Sequence, residues 1–211
     1  GWSYVADLGL TELSEEPRRA TDDPQGPPSG LNVRDAGWRL TDLDAGLATT
    51  ALALARWHAT HRFCPRCGAP PRVALAGWER HCVAEGHVMY PRTDPAVIMA
   101  IVDEQDRLLL GHAVGWPERQ FSVPAGFVEP GETLEAAVRR EVAEETAIEV
   151  GEVTYAGSQP WPFPASLMLG FRGRALTVEP RPDGVEVTEA MFVSRDELAG
   201  LLDERAIRLP R

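Results

Sequence analysis

The stretch from Gly126 to Ile148, GFVEPGETLEAAVRREVAEETAI, constrains this chain more than any other. A glycine turn leads to Glu132, then to Arg140-Glu141 and the pair Glu144-Glu145, at the spacing G-x5-E-x7-R-E-V-x-E-E-x-A-I. Leu134, Val138 and Val142 recur every four residues, the buried stripe of an amphipathic helix. Glu141, Glu144 and Glu145 fall at i, i+3 and i+4 and crowd one side of that helix. Like charges so placed repel by roughly a few tenths of a kcal/mol per pair. The plain account of such a run is a solvated acidic face. The alternative is a divalent cation that the carboxylates share, and a loop acid joined to three helix acids favours it.

Bulk properties narrow the class. The chain has 211 residues, 44% of them hydrophobic, which suits one or two compact domains. No run of about 18 apolar residues is present, so no membrane partner is expected. Three cysteines give no even disulfide framework, and with no signal peptide visible a reduced cytoplasm is the expected setting. The net charge of −11 argues against a general nucleic-acid surface and for a cation wherever phosphate must be held. Lysine is absent and all 21 basic residues are arginine, so any phosphate clamp must use guanidinium groups.

Taken in order, residues 2–8 read as a strand and residues 17–30, PRRATDDPQGPPSG, as a loop. A helix is expected over about 44–60, capped by Asp44, with Leu47, Ala51, Leu54, Ala55 and Trp57 on its apolar side. His58 and His61 read as polar residues of the helix end rather than as ligands. Cys64-Pro-Arg-Cys67-Gly is a tight knuckle that can aim two thiolates at one Zn²⁺, and Cys82 follows at zinc-ribbon distance. The fourth ligand stays open: His87 is preferred, then Glu85 or His81, and a ribbon that has kept its shape without metal is the competing account. Beyond Thr93, strands are expected over 96–102, 107–111, 121–125, 149–158, 167–174 and 191–193. A last helix opens at Ser194 or Arg195, where Ser194 and Glu197 form a capping box. Between two strands lies SQPWPFPAS, residues 158–166. Its three prolines stiffen a segment carrying Trp161 and Phe163, suited to stacking on a flat ring such as adenine or nicotinamide. Packing of those aromatics on the core is the plain alternative.

The acidic stretch resembles the box of the Nudix hydrolases, which cut nucleoside diphosphates linked to another group. Ala147 stands where the family carries glycine, at a helix end that favours a left-handed residue, and a modest geometric effect is expected. SQPWPFP about ten residues after the box resembles the NADH pyrophosphatase branch, and the resemblance runs along the whole chain. It implies an α+β protein: an N-terminal α/β subdomain over 1–61, a zinc-ribbon-like unit over 62–92, and a Nudix α/β/α sandwich with a mixed sheet over 93–211. It implies that Tyr90 and the run Gln159, Pro160, Trp161, Pro162, Phe163, Pro164, Ala165 and Ser166 contact the dinucleotide. Phe127 would lie on the nicotinamide side, and Arg34 matches a substrate-binding arginine.

By the same resemblance, Glu141, Glu144 and Glu145 hold catalytic Mg²⁺ or Mn²⁺, joined by the Ala125 carbonyl and by Glu189, with Glu186 as the alternative to Glu189. Arg140 orients the acids by ion pairing. Glu145 or Glu189 serves as base, unless metal coordination alone activates the water. The implied reaction splits the pyrophosphate of NADH or NAD into AMP and nicotinamide mononucleotide, and extends to NAD caps on RNA 5′ ends. A homodimer with shared sites is implied, as is a C-terminal segment closing the nucleotide pocket, which is not evident before Arg211. Two other readings compete. One is a Nudix hydrolase of ADP-ribose or dinucleoside polyphosphates, which SQPWPFP disfavours. The other is a zinc-ribbon nucleic-acid-binding protein with an idle Nudix domain, which five arginines against two acids in residues 62–92 favour and the overall acidity disfavours.

Overall fold

The computed structural model describes residues 33–209, so the expected strand at 2–8 and loop at 17–30 lie outside the described residues. The chain forms two compact units. Residues 33–93 and 160–166 belong to the first, residues 94–159 and 167–209 to the second.

In the first unit a short helix α1 (Val33–Ala36) and a 3-10 turn precede helix α2 (Asp42–Thr60). The cap of α2 is Thr41 rather than Asp44: the Thr41 hydroxyl accepts the Asp44 amide at 3.2 Å. Both residue types cap well, and placing Thr41 there moves Asp42 and Asp44 into the first turn, beside the positive end of the helix dipole. The buried side is Ala48, Leu52 and Trp57, while Leu47 stays 49% exposed, one position off the expected stripe. The ribbon is an antiparallel sheet of β1 (Pro71–Ala74), β2 (Glu79–Cys82) and β3 (Val88–Met89) in that order. The end of α2 is tied to it, since Arg80 donates to the His58 carbonyl at 2.9 Å and the His58 ring lies 2.9 Å from the Gly77 carbonyl. His58 is a structural residue of the helix end.

The second unit is built on β4 (Asp94–Val102), β5 (Leu108–Ala113), β6 (Ala125–Phe127), β7 (Val150–Trp161), β8 (Ser166–Ala175) and β9 (Val187–Val193). The sheet order is β7-β8-β4-β5-β9, and β6 pairs with β4. Helix α3 (Leu134–Thr146) carries the acidic run and helix α4 (Arg195–Asp203) opens with the expected capping box. Neighbouring residues of a strand point to opposite faces. Leu109 joins Val97, Met99, Ile101, Val138 and Val142 in one core, and Leu110 joins Phe121, Val193 and Ile207 in the other, with Leu198 and Leu201 of α4 packed on it. The sheet is thus covered by α3 on one face and α4 on the other, the α+β sandwich expected.

Several strand ends differ from expectation: β9 begins at Val187 rather than at 191 and β5 runs on to Ala113, and in two further places proline explains the difference. Residues 121–125 give only a bridge between Gly111 and Ser122, and the strand shifts to β6. Pro124 has no amide for a ladder, although its carbonyl accepts the Met99 amide at 3.1 Å. Conversely, Gln159-Pro160-Trp161 extends β7 instead of forming a loop, and only residues 162–165 turn. Pro160 is tolerated because β7 is an edge strand.

The β4–β5 turn is locked by Asp103, which is fully buried. Its carboxylate accepts the Gln105 and Arg107 amides at 3.0 and 2.9 Å and the Arg107 guanidinium at 2.6 Å. Burial pushes its pKa up, and these bonds outweigh burial and hold it below the usual value. Its contribution to stability is therefore present above the usual carboxylate range and lost as pH falls through the folded value. Asp103→Ala strands two amides and a guanidinium, and should cost about 3 kcal/mol in chemical denaturation. A loss within about 0.5 kcal/mol, the level of an inert surface change, would contradict this role.

Candidate active site

The acidic run is organised by one side chain. Thr133 caps α3 by accepting the Ala136 amide at 3.3 Å, and Gly131 takes a positive φ of 88° in the preceding turn. Arg140, on the second turn, reaches back to that turn. Its Nε and one terminal nitrogen each donate to Glu132 at 2.9 Å, a bidentate pair. The same terminal nitrogen donates to the Phe127 carbonyl at 2.9 Å. The other donates to Glu141 at 2.9 Å and to Glu144 at 3.0 Å. A guanidinium has five N–H groups, and all five are used. The Glu141 carboxylate lies over Gly126, where any Cβ would overlap it. This glycine keeps the β6 backbone bare beside Ala125 so that the acid can approach.

Glu145 stands apart from that fork. It is 9% exposed, and no arginine or histidine among the described residues pairs with it. Burial, then the charges of Glu141, Glu186, Asp183 and Glu144, push its carboxyl up to about 7. Glu141 is raised as well, first by burial, against the pull of Arg140 and with Glu144 and Glu186 repelling it. Glu132 is held low by Arg140. One guanidinium therefore faces several carboxylates, with Glu145 left over. An all-oxygen donor set with excess negative charge fits a hard divalent cation.

The structure does not bring Glu189 into this group. Glu189 pairs with His112 across the β5–β9 ladder. It shares a face with Met191 and Val193, which pack on the α4 side, whereas Phe192 packs on the α3 side. Glu186 lies in the turn just before β9, and its charge is among those raising Glu141 and Glu145. Glu186, the alternative weighed from sequence, is the one of the two whose charge acts on Glu141 and Glu145. Asp183 went unnoticed in the sequence reading, where Asp183-Gly184 carries only a turn signal.

The other expected residues fall into separate groups. Trp161 and Phe163 meet edge-to-face at 5.0 Å. The Arg34 guanidinium lies 5.5 Å from the Trp161 ring centre and that of Arg56 lies 5.0 Å from Phe163, which also has Arg34 at 6.0 Å. Arg56 donates to the Pro162 carbonyl at 2.8 Å. Arg56 had no sequence signal. Pro162 and Ser166 are buried, while Gln159, Pro160 and Pro164 are exposed and Ala165 is half-buried. Tyr90 and Phe127 are exposed, at 65% and 57%. In the ribbon, the sulfur atoms of Cys64, Cys67 and Cys82 lie within 4.8 Å of one another. His87 Nε2 is 2.9 Å from the Cys64 sulfur, and its buried Nδ1 has no hydrogen-bond partner, with Glu85 3.5 Å away. Three sulfurs and an imidazole nitrogen suit Zn²⁺. His81 turns instead to Glu79 and Arg72.

A family model described as the NUDIX domain matches residues 92–210. The chain belongs to the Nudix family. A second model, the NADH pyrophosphatase zinc ribbon domain, matches residues 59–90. The Nudix chain is 44% identical over 182 residues to a Mycobacterium bovis protein named NAD-capped RNA hydrolase NudC, covering 85% of this chain and 58% of that one. It is 38% identical over 173 residues to a human protein named NAD-capped RNA hydrolase NUDT12, covering 78% and 37%. It thus spans little more than half of the mycobacterial relative. Among solved structures, a Nudix hydrolase from Nitrosomonas europaea aligns with a TM-score of 0.55 at 22% identity, over 70% of this Nudix chain and 97% of that one, which shows the shared fold. No helix among the described residues is long and apolar enough to cross a membrane.

Glu145 makes the metal-free protein sensitive to pH. Its folded pKa of about 7 lies above the unfolded value of 4.5, so the folded state binds the extra proton. The Glu145 contribution to stability is fully present below the unfolded value and is lost as pH rises through about 7. In chelator, Glu145→Gln should melt higher than wild type above about pH 7, and the gap should close below about pH 4.5. A constant gap across thermal melts at both ends would contradict the assignment.

Proposed function

We propose that this chain hydrolyses the pyrophosphate bond of NADH and NAD, giving AMP and nicotinamide mononucleotide, and acts on the same bond at NAD-capped RNA 5′ ends. The observation that carries the reading is Glu145, buried among carboxylates with no protein cation, next to acids that Arg140 holds in place. Glu141, Glu144, Glu145 and Glu186, with the Ala125 carbonyl, would hold Mg²⁺ or Mn²⁺. Such an ion, when bound, neutralises the diphosphate and lowers the pKa of a water. The chain's own part is to fix the donors. Arg140 sets Glu141 and Glu144, the bare Gly126 backbone admits Glu141, and Glu145, whose proton affinity is raised in the metal-free protein, would give up that proton to bind the ion. Water adds to one phosphorus, the bridging P–O bond breaks, and each nucleotide leaves with one phosphate.

The substrate class is supported by the zinc ribbon's kinship and by the names of the relatives. It is supported too by the Trp161–Phe163 pair, braced by Arg34 and Arg56, which offers ring surface to a base. Tyr90 and Phe127 are exposed aromatics that would serve the same substrate. Cys64, Cys67, Cys82 and His87 would hold Zn²⁺ and stiffen a ribbon with little core of its own. The three free thiols suit a reducing cytoplasm. A homodimer is supported by Phe63, Leu75 and Trp78, large apolar side chains of the ribbon exposed at 64%, 67% and 51%, which a second copy would cover.

With Mg²⁺ or Mn²⁺ the chain should release AMP from NADH, and Glu145→Gln should lower kcat by about 10²-fold or more, read by chromatography. Turnover of ADP-ribose with NADH untouched would overturn the substrate reading. Metal analysis should find near-stoichiometric zinc, lost in Cys64→Ser and reduced in His87→Ala. Zinc unchanged in Cys64→Ser would overturn the ribbon site.

A further inference from the structure

The segment 181–187 is held at both ends. The Arg181 amide donates to the Thr146 carbonyl at 2.7 Å and the Asp183 amide to the Glu145 carbonyl at 3.2 Å, so two terminal carbonyls of α3 are satisfied from this loop. The Asp183 carboxylate then gathers the next amides. Its Oδ1 accepts Val185, Glu186 and Val187 at 3.1, 3.1 and 2.9 Å, and its Oδ2 accepts Glu186 at 3.1 Å. Gly184 takes the left-handed φ of 73° that the turn requires, and its amide donates to the Val187 carbonyl at 2.9 Å. The Glu186 carbonyl accepts the Val114 amide at 2.8 Å. Both backbone groups of Glu186 are therefore fixed, the amide by Asp183 and the carbonyl by β5's extension.

Three consecutive amides converging on one ionised carboxylate form a charge-assisted set, and all three fall on its Oδ1. Asp183 is itself exposed, so it contributes no apolar burial to the core. We infer that Asp183 is a positioning residue of the metal site, whose carboxylate shapes the loop so that the Glu186 side chain faces Glu141 and Glu145. This rests on the reading of Glu186 as a metal ligand. Asp183 supplies no ligand atom in this reading and acts chiefly by placing Glu186, so its effect belongs in metal affinity rather than in the chemical step.

The test is a double-mutant cycle on the full chain, read by Mn²⁺ binding in electron paramagnetic resonance and by the Mg²⁺ dependence of NADH hydrolysis. Asp183→Ala should weaken Mn²⁺ binding about tenfold, raise the Mg²⁺ needed for half-maximal rate by the same factor, and leave kcat at saturating metal within about twofold. Asp183→Asn, which keeps one acceptor oxygen, should recover most of the affinity. In a Glu186→Gln background, Asp183→Ala should add nothing. If Glu186→Gln leaves Mn²⁺ affinity unchanged, the ligand reading fails and this inference falls with it. If Glu186→Gln weakens binding while Asp183→Ala does not, or if the two losses multiply, the positioning role alone is overturned.

Discussion

The Arg140 fork is the interaction on which the site depends. It joins three pieces of chain that sequence separates: the turn through Glu132, the Phe127 carbonyl at the end of β6, and the helix acids Glu141 and Glu144. Without it, Glu132, Glu141 and Glu144 would face one another uncompensated, and each would swing towards water. The pair with Glu132 is planar and bidentate while the remaining donors point elsewhere. That geometry needs a guanidinium, since an ammonium offers three donors from one point. Stabilisation from this fork is used to hold other carboxylates close together, which is the opposite of what stability alone would favour.

The fork fixes one side of the site, and the end of α3 fixes the other. Ala147 adopts φ 56°, the left-handed conformation that glycine would take more cheaply, by about 1 kcal/mol. It is over-determined from both sides. The Ala147 amide bonds the Ala143 carbonyl at 2.9 Å, and the amides of Arg181 and Asp183 cap the carbonyls of Thr146 and Glu145. The helix end is thus a docking point for the loop that bears Glu186. Alanine thus holds, at position 147, the left-handed conformation that the family's glycine would favour.

What could be read from the sequence was what depends on local spacing. The box helix, its buried Val138 and Val142, the capping box at Ser194 and the cysteine knuckle all follow from residues a few positions apart. Errors arose where a distant partner decided the outcome. Thr41 and Asp44 cap equally well by type, and only the packing of α2 selects Thr41. Proline in 158–166 signals a loop, yet an edge strand accommodates Pro160. Glu189 lies within β9 and Glu186 in the turn just before it, and where that strand begins is set by its pairing with β5, which no local pattern records. Arg56 meets the Pro162 carbonyl across 106 residues, a contact invisible to any local pattern.

Glu145 joins these strands of argument. A buried carboxylate with Glu141, Glu186, Asp183 and Glu144 acting on it is a liability in a chain whose net charge is already −11. Nothing in the fold requires an acid there, because Val138, Val142 and Ile148 already fill the core beneath α3. The group is kept where its charge is poorly screened and its proton affinity is raised. Those two properties make the metal-free domain weaker at neutral pH, and they are what a divalent cation bound there would relieve. Stability given up at Glu145 in the metal-free domain is free energy that a bound cation would return.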